Sequence, residues 1–97
     1  MSLLNLKLLL GEFGTISVRA CHNEDIAAEL NALVERCRDD AKTVRGRLKV
    51  QLAALEVPEA ILPNKLTDPT NIALRTFYRD AIARLTNMLG DDQSITA

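Results

Sequence analysis

The sequence predicts an all-α fold: a small helical bundle around one long central helix, with antiparallel neighbours. Three observations carry that expectation. Apolar residues recur at spacings of three and four through the middle of the chain, from Ile26 to Leu55. Asp68-Pro69 and Gly90 bracket a second run of the same kind with a start and a stop signal. At 97 residues and 47% hydrophobic content, the chain can bury one modest core and is too short for two domains.

Residues 1–22 carry two patterns. Leu3, Leu6, Leu10, Phe13 and Ala20 fit a helical heptad with one break at Ser17. Leu4, Leu6, Leu8 and Leu10 also alternate, as do Ile16, Val18 and Ala20, with Gly11 and Gly14 between the two runs. That alternation reads as a β-hairpin. Helix is the reading adopted, since the rest of the chain is helical and a lone hairpin is marginal in water. The hairpin stands as the alternative.

The central helix is expected over 23–57. Asn23 is placed as its N-cap, and Glu24 and Asp25 put negative charge in the first turn, where the helix dipole favours it. Ile26, Leu30, Leu33, Cys37, Ala41, Val44, Leu48, Leu52 and Leu55 form the apolar stripe, and Pro58 ends the helix. A loop is expected over 58–67. Asp68 then caps a helix over 68–90, with Pro69 at its first position and Gly90 as its C-cap. Residues 91–97 read as a polar tail. A straight helix from Glu24 to Val57 would run roughly 50 Å. Its ends would overhang its neighbours and leave an apolar seam for another chain to cover.

Composition narrows the function classes. Formal net charge is -1, so the chain as a whole exerts no electrostatic pull on nucleic acid or on an anionic membrane. No apolar run approaches the ~18 residues that a membrane span needs, and the run Leu3–Leu10 is interrupted by Asn5 and Lys7. Cys21 and Cys37 stand sixteen positions apart with no C-x-x-C. They read as free thiols in a reducing compartment, and a cytoplasmic location is the expectation.

The distinctive polar feature is a basic stripe. Arg38, Lys42, Arg45 and Lys49 recur at spacings of four, three and four, roughly 110° around the helix from the apolar stripe. Arg36 and Arg47 add charge on the far side. Such a stripe can meet phosphates, an acidic partner helix or anionic lipid headgroups; the plainer reading is a solvated face that serves solubility. Gly46, in the same segment, points away from the apolar stripe and marks a kink, a place where another backbone comes close, or a tolerated surface glycine. Among the aromatics, Phe77 is assigned to the core and Tyr78 to an interface, since aromatics often anchor partners.

No catalytic, cofactor-binding or metal-ligating constellation is expected. His22 stands beside Cys21, but adjacent residues rarely converge on one substrate, and no third group is near in sequence. Asp39-Asp40 and Asp91-Asp92 diverge by about 100° if helical and make no acid/base couple. Gly11-Glu12-Phe13-Gly14 is too short for a phosphate loop. The reading is therefore a non-enzymatic helical interaction or regulatory module, with no small-molecule ligand, whose partner is another protein or a second copy of itself. The partner-binding residues are Arg38, Lys42, Arg45, Lys49 and Tyr78. The alternative is a nucleic-acid-binding helical protein that uses the same stripe.

Glu29-Leu30, Leu33, Ala41, Val44-Arg45 and Leu48-Lys49 stand in the order E-L-x-x-L, then A-x-x-V-R-x-x-L-K. In this the segment resembles the second helix of the syntaxin N-terminal regulatory domain, the three-helix Habc bundle, over about Glu29 to Leu89. The resemblance implies a bundle that docks on a SNARE helix or on a Sec/Munc-type protein.

Overall fold

The computed structural model describes residues 3–56 and 67–90, and these are all-α with no strand among them. Four helices follow in order: α1 (Leu3–Cys21), α2 (Ala27–Arg36), α3 (Ala41–Leu55) and α4 (Pro69–Leu89). A single 3-10 turn, Arg38–Asp40, joins α2 to α3. The loop expected over 58–67, the helix stop at Pro58 and the tail over 91–97 lie almost wholly outside the described residues.

The first segment is a helix, not a hairpin. Leu6, Leu9, Phe13 and Ile16, at spacings of three, four and three, are buried, while Leu4 and Leu8 stay exposed. The core face is turned slightly from the expected heptad: Leu9 and Ile16 enter it, and Leu3 faces solvent. Gly11 and Gly14 sit inside the helix. The Thr15 and Ser17 hydroxyls donate back to their carbonyls at 3.1 and 2.6 Å, a local bond that these residues make readily within a helix.

Asn23 does not open the second helix; it closes the first. Its φ is +64, its N–H donates to the Ala20 carbonyl at 3.0 Å, and the next N–H, of Glu24, reaches back to Arg19 at 3.2 Å. This pair of bonds with a left-handed residue between them is a Schellman end, and asparagine tolerates the left-handed position. The entry to α2 is held instead by Asp25, whose side chain accepts from the Ala27 N–H at 3.2 Å.

The expected long central helix is also corrected. It breaks after Arg36, where Cys37 (φ -88, ψ 2) and Asp40 (φ -124, ψ 20) leave helical geometry. The Asp40 N–H bonds to the Cys37 carbonyl at 2.8 Å, three residues back. The longest dimension of the backbone is 39 Å, shorter than the ~50 Å of an unbroken helix of that span. The break turns the chain into two antiparallel pairs. Arg19–Glu29 and Glu12–Arg36 contacts join α1 to α2. Asn71–Leu55 and Arg45–Thr86 contacts join α3 to α4.

The break lets most of the apolar stripe face one core, while Leu52 and Leu55 stay half-buried. Leu30, Leu33, Cys37, Ala41, Val44 and Leu48 are all buried within the chain, in one cluster with Phe13, Phe77, Ala81 and Leu85. α4 touches the other three helices, and fully buried Ala81 on it lets backbones approach closely. Phe77 lies in the core, as assigned. Both α4 signals are also as expected. The Asp68 carboxylate accepts from the Asn71 N–H at 3.0 Å, Pro69 takes the first helical position, and Gly90 (φ +74) closes the helix.

Candidate functional site

The positive charge of the chain is concentrated on α3. Ala41–Leu55 carries Lys42, Arg45, Arg47 and Lys49 and no aspartate or glutamate. On the other elements five arginines meet carboxylates: Arg19 pairs with Glu24 and Glu29, Arg36 with Glu12, Arg38 with Glu35, Arg79 with Glu56 and Arg84 with Asp80, while Arg75 donates to the Asn71 amide oxygen. Lys42, Arg47 and Lys49 are exposed and meet no carboxylate among the described residues. A molecule of net charge -1 thus carries locally uncompensated positive charge on α3, with Lys42 and Lys49 along one side and Arg47 roughly 140–160° around the helix from them, the kind of field that concentrates anionic partners.

The five residues singled out from sequence separate into distinct roles. Lys42 and Lys49 are exposed on α3 and meet no carboxylate among the described residues. Arg38 belongs to the 3-10 turn and is held by the Glu35 carboxylate, with N–O distances of 2.6 and 2.7 Å. Arg45 is half-buried and donates from Nη1 to the Thr86 hydroxyl at 3.3 Å, which makes it a brace between α3 and α4. Tyr78 is half-buried on α4, edge-on to Phe77 with ring centroids 5.3 Å apart. It does not join Lys42 and Lys49.

Tyr78 instead lines a groove between α1 and α3, about 290 Å³ in volume, with Leu10 and Gly14 on one wall and Arg47, Val50 and Gln51 on the other. Buried Leu48 forms part of its floor. Arg47 is the functional candidate that sequence reasoning set aside as far-side charge. The signal that finds it is the complete lack of acid in Ala41–Leu55, a property of the whole helix rather than of one stripe.

A second groove, about 360 Å³, runs between α1 and α2 over Ile16, Ala32 and Leu33. Two reciprocal ion pairs, Arg19 with Glu29 and Glu12 with Arg36, clasp the helices along it. Hydrogen bonding from Arg36 holds the Glu12 carboxyl below its ordinary pKa, and Arg19 does the same for Glu29. The exposed large apolar side chains lie mostly on α1, at Leu3, Leu4, Leu8 and Val18, with Val50 on α3 and Ile72 on α4.

Among the described residues no group of three or more His, Cys, Asp or Glu is placed to hold a metal ion, and no helix is long and apolar enough to cross a membrane. Both cysteines are free thiols. Burial pushes the Cys37 thiol up to about 11, which keeps it protonated and a poor nucleophile at neutral pH. Comparison with protein-family models, with curated proteins and with solved structures finds no match to this chain.

Proposed function

We propose that the chain is a non-enzymatic helical interaction module that engages a protein partner through the positive face of α3. The observation that carries this reading is the contrast between α3 and the rest of the surface. Arg19, Arg36, Arg79 and Arg84 on the other helices are spent on internal carboxylates, whereas Lys42, Arg47 and Lys49 have none within the described chain. A helix that only needed solubility would gain from interspersed acids, which add i,i+4 pairs and remove self-repulsion. Regulation by docking suits so small a bundle, and its two free thiols fit a reducing, cytoplasmic compartment.

Nucleic acid is the second reading, because the same cations could neutralise phosphates. It is weaker because the chain has only three aromatics with which to stack bases. Phe77 is buried, and Tyr78 is half-buried against it.

A photo-crosslinking residue placed at Lys42 or at Lys49, with exposed Ala83 on α4 as control, tests the reading in the source cells. A discrete protein adduct from both α3 positions and not from position 83, lost when the other lysine of the pair is changed to glutamate, is the expected result. A nucleic-acid adduct, or no adduct from either α3 position, overturns it.

A further inference from the structure

We infer that α1 is the seam of a homodimer: its outward stripe of Leu4, Leu8, Gly11, Thr15 and Val18 pairs in parallel, about a two-fold axis, with the same stripe on a second copy. The inference is independent of the α3 reading, so either can fail alone.

α2, α3 and α4 all lie against α1, and the side they leave open is unlike a solvated face. Leu4, Leu8, Gly11, Thr15 and Val18 are all exposed, Leu4 by 69%, Leu8 by 60% and Val18 by 56%. Their spacings alternate between four and three, the pattern of a coiled-coil seam. They lie roughly 160° around the helix from the core residues Leu6, Leu9, Phe13 and Ile16. Among the residues of α1, Lys7 is the single exposed charge. A glycine inside a helix weakens it, and packing within the chain does not require one at position 11, where an added Cβ meets nothing within 4 Å. In a seam it lets two backbones come close. The Thr15 hydroxyl already donates to the Gly11 carbonyl at 3.1 Å, so covering it strands no donor.

Charge identifies the occupant and its direction. Lys7 lies about 60° to one side of the stripe and Glu12 about 80° to the other. In a parallel two-fold pair each flank of the seam brings the Lys7 edge of one copy against the Glu12 edge of the other. The two positions are about 7.5 Å apart along the axis, a span that lysine and glutamate side chains cross. Glu12 already accepts from Arg36 through both oxygens, but a carboxylate has lone pairs for a further donor. Turned antiparallel about Gly11, the same edges would meet themselves, with Glu12 against the second copy's Glu12.

The footprint sets the strength. From Leu4 to Val18 the seam measures about 21 Å by 10 Å on each copy, at the small end of specific interfaces. The helix is already folded on its own core, so pairing orders little. The dimer is therefore reversible, with a dissociation constant between about 1 μM and 1 mM.

Sedimentation equilibrium across that range tests it. The expected result is a monomer–dimer equilibrium. Leu8→Glu places a charge in the seam and touches no core position; it should stay monomeric with unchanged circular dichroism. Lys7→Glu should weaken the pair about threefold or more. A nitroxide label on half-exposed Cys21, with Cys37 buried, reads the direction by pulsed electron resonance. In the parallel pair both labels stand at one height, about 20 Å apart or less. Antiparallel alignment about Gly11 separates them by about 30 Å along the axis. A monomer at every concentration, whether the stripe stays bare or a foreign protein or lipid covers it, overturns the inference. So does a dimer that Leu8→Glu leaves intact, the antiparallel label distance, or assembly that grows past two copies.

Discussion

Asn71 donates from its side-chain amide to the main-chain carbonyl of Leu55, 3.1 Å away, and so binds the first turn of α4 to the last residue of α3. The Leu55 carbonyl is one of those that a helix end leaves without an internal partner. Asn71 is itself buried, and its amide oxygen accepts from Arg75 Nε at 2.6 Å. Asn71→Ala is therefore expected to strip a partner from a buried carbonyl and to cost about 1–3 kcal/mol. Asp68→Ala, which removes the cap from the same turn, should cost about 1 kcal/mol. Urea denaturation followed by circular dichroism measures both, with unchanged slopes showing that only stability moved.

The two thiols should separate cleanly. Cys21 is partly exposed and Cys37 is buried. At neutral pH a maleimide should take one equivalent quickly, at Cys21, and the second only at the rate at which the chain opens. Fast labelling at both positions would mean that the 3-10 turn beside Cys37 is open. A second consequence concerns alkaline pH. The folded thiol titrates near 11 and the unfolded one near ~8.5, so above the lower value the folded state holds the extra proton. Stability should then fall as pH rises between the two, and Cys37→Ala should flatten that slope.

At the acid end the sign reverses. Glu12 and Glu29 have carboxyls held below their ordinary range by Arg36 and Arg19. Their contribution is complete above the unfolded value of about 4.3 and is lost as pH falls through the lower folded value. Both pairs are exposed, so each contributes little. The expected observation is a shallow loss of stability below pH ~4, reduced when Glu12→Gln and Glu29→Gln are combined, in thermal melts across a pH series.

Gly46 offers a gain. It lies inside α3 on the exposed side, and a Cβ there meets nothing within 4 Å. Gly46→Ala should raise stability by about 0.5–1 kcal/mol, seen as a higher urea midpoint. A loss instead would show that the backbone at this position is not ordinary helix.

What the sequence showed plainly was local. Asp68, Pro69 and Gly90 act within a turn of themselves, and their signals needed no tertiary knowledge. The break at Cys37–Asp40 was hidden because Leu33, Cys37, Ala41 and Val44 keep helical spacing straight through it. What decides it is length: a straight helix would leave its ends without cover, and a bend lets the same stripe face one core. Asn23 misled for a related reason. Asparagine suits both a helix start and a left-handed helix end, and only the bonds back to Arg19 and Ala20 distinguish them. The positive face was half legible. Lys42 and Lys49 stand as their spacing placed them, but α4 takes up Arg45, Glu35 takes up Arg38, and Arg47 gains its interest only from the approach of α1 and Tyr78.

The elbow at Arg38–Asp40 also bears on how the chain reaches this state. It divides one long rod into two helices that pack on their sequence neighbours, α2 on α1 and α3 on α4, while α1 also lies against α4. Because most of its contacts stay between neighbouring stretches of helix, a protein of this kind should refold in microseconds to milliseconds.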